Sequence, residues 1–171
     1  LGDVYKRQVI FCKIPESWSP AEPLQSACWG KSQLEWVQPK NVEINTMALL
    51  ALAKQVIPDM ESAGGGALIC TGNTSAYRGR ARFAGFAPTK AAQRILLESI
   101  AREAGPKGVH AAYVAIDAVI DLAWTREFFA DKPDDFFCQP ADIADEVFRI
   151  AHQPRSAWSF ESVIRPFGEV W

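Results

Sequence analysis

One stretch of the sequence, residues 67–121, constrains the fold more than any other. It begins with a short apolar run, Ala67–Thr71, which a polar, glycine-containing loop follows. A helical pattern then covers Ala87–Ala104, and a second apolar run covers Val109–Ile116. Apolar residues on both faces of short runs are typical of strands in a covered parallel sheet. Two parallel strands joined by a helix form a right-handed crossover unit, so we predict an α/β fold.

Proline and glycine mark the ends of the predicted helices. Pro88 suits the first turn of the helix 87–104, and Gly105 suits its end. A second helix is predicted over Asn41–Met60, where apolar residues recur at three-to-four spacing. We expect Asn41 to cap its start and Pro58 to kink or end it.

The remaining segments complete a layered domain. Val9–Cys12 reads as the tail of a strand, Pro140–His152 as a helix and Ala157–Ile164 as a last strand. Residues 121–140 are rich in phenylalanine and are predicted to be irregular, packing over an apolar groove as a lid. Gly64–Gly66 precedes a strand, whereas a phosphate-binding loop leads from a strand into a helix, so these glycines are interpreted as a turn.

Composition excludes several classes of function. The chain has 171 residues, about one domain, with a net charge of -2 and a pI near 5.7, which argues against a nucleic-acid partner. No apolar run reaches the roughly 18 residues of a membrane span. Four scattered cysteines and two distant histidines predict no metal site and reduced thiols in a cytoplasmic protein. Residues 1–8 look like a translated sequencing adapter, which leaves 9–171 as a single partial domain.

Four motifs carry a resemblance to a known family. They are Thr-Gly-x-Thr at Thr71–Thr74, Phe86-x-x-x-Lys90, the Gly-Pro-x-Gly segment ending Ala101–Gly108, and Gln153–Trp158. In this order they resemble the C-terminal half of the short-chain dehydrogenase/reductase family. The resemblance implies a truncated Rossmann-like, doubly wound parallel sheet, comprising about strands four to seven with their flanking helices. It also implies NAD or NADP as cofactor in the full-length protein, and we expect these 171 residues alone to bind none.

The resemblance assigns roles to five positions. Lys90 matches the family's lysine, which lowers a tyrosine pKa and holds the nicotinamide ribose. Asn45 matches the asparagine that orders a water for proton relay. Phe86 stands at the position of the tyrosine that exchanges a proton with substrate, and Asn73 or Thr74 falls near the substrate-binding serine. Because positioned proton transfer contributes about 10²–10⁴-fold, the resemblance implies impaired or atypical chemistry.

Other residues near the predicted site have two interpretations each. The segment after the strand 109–116 borders the nicotinamide in the family, which makes Asp117, Ala118 and Ile120 cofactor-binding candidates. A turn or capping role is the alternative for Asp117 and for Asp121. Tyr77, in the loop after the first strand of the crossover, is the alternative proton donor, while Lys90 could equally be a solvated or locally paired lysine.

Three functional hypotheses remain open on the sequence. The first is an NAD(P)-dependent oxidoreductase fragment that moves hydride to or from a small-molecule carbonyl or alcohol. The second is a catalytically dead member of the family that serves as a binding or subunit-interaction module. The third is a fragment without independent function. The family resemblance also implies a second copy of the chain as partner, through helices 41–60 and 87–104.

Overall fold

The structure is a computed structural model that describes residues 9–11, 39–81 and 83–168. The adapter-like residues 1–8 lie outside the described residues. The strands are β1 (Val9–Phe11), β2 (Gly66–Gly72), β3 (Val109–Ile116), β4 (Val119–Ile120), β5 (Phe137–Cys138) and β6 (Glu161–Ile164). The α-helices are α1 (Pro39–Val42), α2 (Ala48–Ser62), α3 (Ala87–Ala104), α4 (Ala123–Phe128) and α5 (Pro140–Ala151).

The main sheet is parallel throughout, in the order β1-β2-β3-β6. Its central pair, β2 and β3, is in register with Ile69 opposite Ala112, and every residue of β3 is buried. Strands β4 and β5 form a separate parallel pair. The predicted α/β fold with a Rossmann-like parallel sheet is therefore confirmed.

Both faces of the sheet are covered, because alternate residues of β2 and β3 point to opposite sides. One face packs Leu68, Cys70 and Tyr113 against α2 and α3. The other packs Ile69 and Val114 against α5. Burial on both faces explains why these strands read as continuous apolar runs. None of the helices in the described residues has the length and apolar character that crossing a membrane requires.

Two glycines allow close approaches at opposite ends of β2. Gly65, before the strand, has a φ of 143°, and a Cβ there would lie 2.7 Å from the carbonyl oxygen of Gly108. Gly72, at the end of the strand, lies against the Tyr113 side chain, whose hydroxyl oxygen would be 1.8 Å from an added Cβ. The second contact sets Tyr113 beside the loop that carries the candidate serine-position residues.

The helix predicted over 41–60 differs from the observed one in three ways. It begins at Pro39, so Asn41 lies inside α1, and its amide donates to the carbonyl of Gly85 at 3.4 Å instead of capping. A π-helical turn, Glu43–Met47, joins α1 to α2. Pro58 does not end the helix, which continues to Ser62 because the fully buried Met60 anchors its last turn.

Residues 121–140 are more regular than predicted. They contain α4, a 3₁₀ turn over Asp134–Phe136 and strand β5, which pairs with β4. Two-residue strands are too short for periodicity to reveal. The last strand, predicted from Ala157, begins at Glu161 because Arg155–Ala157 forms a 3₁₀ turn. The predicted bounds of α3 and β3 are confirmed.

Candidate functional site

The candidate site residues gather at the carboxyl ends of the parallel strands, where open α/β sheets bind ligands. They form two groups, one around the π turn Glu43–Met47 and one around the 3₁₀ turn Thr74–Ala76 that follows β2. Helix α3 packs against both turns. The helix therefore ties the two groups to one edge of the sheet.

The first group joins Asn45 to the first turn of α3. The Asn45 side chain is buried, and its Nδ2 donates to Oγ1 of Thr89 at 3.0 Å. The Thr89 hydroxyl in turn donates to the carbonyl of Phe86 at 2.8 Å, and Thr46 Oγ1 donates to the carbonyl of Thr89 at 3.2 Å. These bonds fix the π turn against the residues that precede and begin α3.

Lys90 stands in the first turn of α3 between an aromatic ring and an amide. Its Nζ lies 5.8 Å from the centroid of the Phe86 ring, within the range of a cation–π contact. The same Nζ donates to Oε1 of Gln93 at 3.1 Å, and Nε2 of Gln93 donates to the carbonyl of Asn45 at 2.7 Å. The structure thus brings together Asn45, Phe86 and Lys90, three of the predicted site residues.

The second group uses both residues predicted near the serine position. Asn73 Oδ1 accepts from the backbone N–H of Ser75 at 3.1 Å and caps the 3₁₀ turn. Thr74 Oγ1 donates to Oδ1 of Asp117 at 2.6 Å, and Arg165 lies 3.8 Å from the other oxygen of that carboxylate. Both side chains therefore have partners inside the protein.

The segment after β3 separates the three predicted cofactor residues. Asp117 binds Thr74, as above, and its backbone N–H donates to the carbonyl of Ile164 at 2.9 Å. Ala118 lies in a bend, and Ile120 belongs to β4, where its carbonyl accepts from Thr125. The alternative interpretation, that the aspartate at 117 organises a turn, matches these contacts as well as cofactor binding does.

Asp121 is held by an arginine rather than by the site. Nε and Nη2 of Arg126 bind its two carboxylate oxygens at 2.6 and 2.8 Å, and Gln139 Nε2 adds a bond at 2.8 Å. Hydrogen bonds from Arg126, then from Gln139, lower the pKa of Asp121 to about 2. Arg126 also lies 4.0 Å above the ring of Phe137, so this cluster fastens α4 to β5.

Tyr77, the alternative proton donor, is poorly suited to the task. Partial desolvation of this 40% exposed ring, and then a hydrogen bond with Glu161, raise the pKa of Tyr77, which makes the phenol a weaker acid. Arg94 lies 5.4 Å above the same ring and binds Glu161 through Nε at 2.7 Å. A nearby carboxylate has the opposite effect on a phenol from the lysine that activates the family's tyrosine.

Sequence reasoning missed Thr89 and Gln93, each of which is 3% exposed. Polar side chains at positions spaced with the apolar residues of the packed face were the available signal, since such groups need buried partners. No group of three His, Cys, Asp or Glu residues with the geometry of a metal site occurs in the part of the chain that the structure describes.

Comparison with known proteins identifies a family whose sequence model covers this site. A family model described as short chain dehydrogenase matches residues 31–130, more than half of the chain. The human protein "Dehydrogenase/reductase SDR family member 4" is 28% identical over 98 residues, covering 57% of this chain and 35% of its own length.

Solved structures agree with the family model. A short-chain dehydrogenase from Rhodopseudomonas palustris is 31% identical, with a TM-score of 0.61 over 77% of this chain and 52% of that one. A short-chain oxidoreductase from Pseudomonas aeruginosa PAO1, titled as NADPH-bound with an atypical catalytic center, has a TM-score of 0.65 at 17% identity, over 76% of this chain and 56% of that one. The chain thus spans about a third to a half of the length of these relatives. The family model, the relatives and the parallel sheet agree: the chain belongs to the short-chain dehydrogenase family.

Proposed function

We propose that this chain is part of an NAD(P)-dependent oxidoreductase whose proton-transfer step is altered. The observation that carries the proposal is the Phe86–Lys90 pair: a lysine held beside Asn45 at the carboxyl edge of a parallel sheet, next to a phenyl ring that cannot exchange a proton. The substrate class that follows from the family is a small-molecule carbonyl or alcohol.

The residues present suit the nicotinamide end of the dinucleotide. An ammonium carries three N–H donors and no acceptor, which matches ribose hydroxyl oxygens, and Gln93 accepts one of the three. The pyrophosphate end needs a glycine-rich turn from a strand into a helix. Gly64–Gly66 does not supply it, because those glycines lead from α2 into the amino end of β2. When bound, the cofactor supplies hydride exchange at its nicotinamide ring, and this chain contributes the surface at that ring's ribose.

In this scheme the side chains of the protein orient the cofactor and shape the space beside it. Lys90 fixes the ribose, while Asn45 and Thr89 hold the helix that bears it. The Phe86 ring stands where the family has its proton donor and leaves an apolar wall instead. Hydride added to a carbonyl carbon then leaves an oxygen that must take its proton from solvent, which makes the chemistry slow. A member of the family without turnover, acting only as a binding module, is the second function that the lost hydroxyl favours.

Titration calorimetry separates the outcomes. NADH and NADPH are titrated into the protein expressed from its complete gene and, in parallel, into the 171-residue chain. We expect binding to the first and none to the second. Lys90→Met should weaken binding about tenfold, since charge-assisted hydrogen bonds are worth about 1.5–3 kcal/mol. Lys54→Met, an exposed change on α2, should have no effect. Absence of binding to the product of the complete gene ends the proposal, and binding without turnover on a carbonyl panel selects the binding module.

A second copy of the chain is proposed to pack on the outer faces of α1, the π turn and α3. Val42, Met47 and Ile95 are 37%, 49% and 55% exposed there, and the exposed Ala92 leaves room for close approach. Ile95→Glu should shift the protein toward monomer in analytical ultracentrifugation. The matched control, Leu122→Glu, changes an exposed apolar residue before α4. An unchanged sedimentation coefficient for Ile95→Glu would remove this surface from consideration.

A further inference from the structure

The side chain of Gln93 makes hydrogen bonds to both Lys90 and Asn45. It lies one helical turn beyond Lys90 on the packed face of α3 and is 3% exposed. Its Oε1 accepts from Lys90 Nζ at 3.1 Å, while its Nε2 donates to the Asn45 carbonyl at 2.7 Å. The amide thus spans the gap between the lysine and the asparagine with two direct bonds.

The chemistry of its neighbours fixes the orientation of this amide. An ammonium only donates and a carbonyl only accepts, so one arrangement of the Gln93 oxygen and nitrogen satisfies both. A flipped amide would set N–H groups against the ammonium and an oxygen against the carbonyl of Asn45. In a buried position both contacts would be unfavourable, which leaves a single stable rotamer.

The π turn supplies the carbonyl that Gln93 binds. In this turn the backbone N–H of Ala48 bonds the carbonyl of Glu43, five residues earlier. Such turns often occur at functional sites. The side chain of Asn45 is separately fixed by Thr89, so two adjacent turns of α3 hold the π turn. Gln93 therefore connects the Lys90 ammonium to a main-chain carbonyl, whose position is fixed by the π turn.

We infer that Gln93 is a positioning residue that holds the Lys90 ammonium through a non-titrating link to the Asn45 backbone. The inference rests on the proposed function only in what Lys90 holds, the ribose of a nicotinamide cofactor. The family resemblance implies an asparagine that orders a water for relay, and here an amide makes a direct connection. An amide has no ionisable proton at accessible pH, so the link transmits position and not protons.

Nuclear magnetic resonance of the Lys90 ammonium tests the link without any cofactor. With ¹⁵N-labelled lysine, the Nζ–H signal of Lys90 should be protected from exchange in the wild type. Gln93→Met keeps the length of the side chain and removes both bonds, so exchange should speed up about tenfold or more, the factor of one charge-assisted bond. Gln55→Met, an exposed change on α2, should leave the signal as it was.

A second variant keeps the inference falsifiable if Met at this position unfolds the chain. Gln93→Glu retains an acceptor for Lys90 and places an oxygen against the Asn45 carbonyl. Protection of Lys90 should persist in this variant, which separates the two halves of the link. Lys90 exchange that is unchanged in Gln93→Met, or lost in a folded Gln93→Glu, would overturn the inference.

Cofactor titration then distinguishes the two proposals. In the product of the complete gene, Gln93→Met should weaken NADPH or NADH binding about tenfold, with Gln93→Glu closer to wild type. If Lys90 exchange responds as expected but neither dinucleotide binds the wild type, the link stands and the proposed function fails. If the dinucleotide binds and the Gln93 variants bind it equally well while Lys90 exchange is unchanged, the proposed function stands and the link fails.

Discussion

The two ends of the parallel sheet use polar side chains in different ways. At the amino end, before β3 and β6, side chains bind mainly the backbone: Arg155 Nη2 donates to the carbonyl of Gly64, Trp158 Nε1 to that of Gln153 at 3.2 Å, and His110 Nε2 contacts the carbonyl of Ser159 at 2.8 Å. The rings of His110 and Trp158 stack at 4.7 Å. A substitution elsewhere in the chain does not remove a main-chain carbonyl, so we interpret the contacts at this end as structural.

At the carboxyl end, three pairs of polar side chains bind one another, beside further side chains that bind the backbone. Thr74 bonds Asp117, Asn45 bonds Thr89, and Lys90 bonds Gln93. A bond between two side chains can be exchanged for a bond to a ligand at little cost, whereas a bond that satisfies a buried carbonyl cannot. An arginine or lysine beside polar residues therefore does not by itself indicate a ligand-binding site. A better indication is that the polar residues bind other side chains instead of the backbone. We expect changes to the side-chain pairs at the carboxyl end to alter function, and changes to side chains that bind the backbone to alter stability.

The largest expected effect tests whether the carboxyl end is a catalytic surface. Phe86→Tyr places a phenol near the Lys90 ammonium, 5.8 Å from the present ring centroid, and a positive charge favours the phenolate. Restored proton transfer should raise turnover of a carbonyl panel about 100-fold or more in the product of the complete gene. NAD(P)H oxidation followed by absorbance gives the rate. Phe83→Tyr, on the neighbouring ring, is the control, and equal rates for both variants would argue against a catalytic role.

A glycine at the amino end should control stability alone. Gly65→Ala must adopt a φ of 143° and bring its Cβ to 2.7 Å from the Gly108 carbonyl oxygen, which should cost about 2 kcal/mol of unfolding free energy. Urea unfolding measures the loss. Gly105→Ala is the matched control, because its φ is −56° and its Cβ would meet open space. Similar free energies of unfolding for the two variants would contradict a structural role for the close contact at Gly65.

Two hydroxyls at the carboxyl end sharpen the distinction between kinds of partner. Thr125 Oγ1 donates to the Ile120 carbonyl at 2.6 Å, and Thr74 Oγ1 donates to the Asp117 side chain at the same distance. Thr125→Val removes the partner of a part-buried main-chain carbonyl and should cost about 1–2 kcal/mol, whereas Thr74→Val should cost about 1 kcal/mol or less. Thermal and urea unfolding give both values. A larger loss of unfolding free energy in Thr74→Val than in Thr125→Val would contradict the distinction between side-chain and main-chain partners.

The smallest expected effect concerns acid. Arg126, and then Gln139, hold the pKa of Asp121 near 2, below its ordinary value of 3.8. A carboxylate with a depressed folded-state pKa stabilises the fold above its unfolded pKa, and that contribution disappears as the pH falls from about 4 to about 2. The effect should be modest because exposed ion pairs contribute little. In Asp121→Asn the free energy of unfolding should depend less on pH in this window than it does in the control Asp131→Asn, as measured by urea unfolding at each pH. Identical pH dependence in the two variants would show that the ion pair of Asp121 with Arg126 does not contribute to stability.

The sequence predicts the parts of this molecule that local signals determine. Helix α3 begins and ends where Pro88 and Gly105 suggested, and the buried β3 matches its apolar run. The role of Gln93 cannot be predicted from local sequence, because its side chain binds a carbonyl 48 residues away. The sequence of Gln153–Trp158 indicates only a family feature, whereas the structure shows that its side chains bind backbone carbonyls at the amino end of the sheet.

The π turn Glu43–Met47 makes the first helical segment intolerant of changes in length. It amounts to one residue beyond a regular helix, so it rotates the faces of α1 and α2 relative to each other by about 100°. Asn45 can therefore meet α3 while Leu49, four residues later, remains fully buried against the sheet. A single-residue deletion would satisfy one of these contacts and break the other, whereas most substitutions in the turn would preserve both. Insertions and deletions, more than point changes, should therefore be rare between residues 43 and 49 in functional relatives.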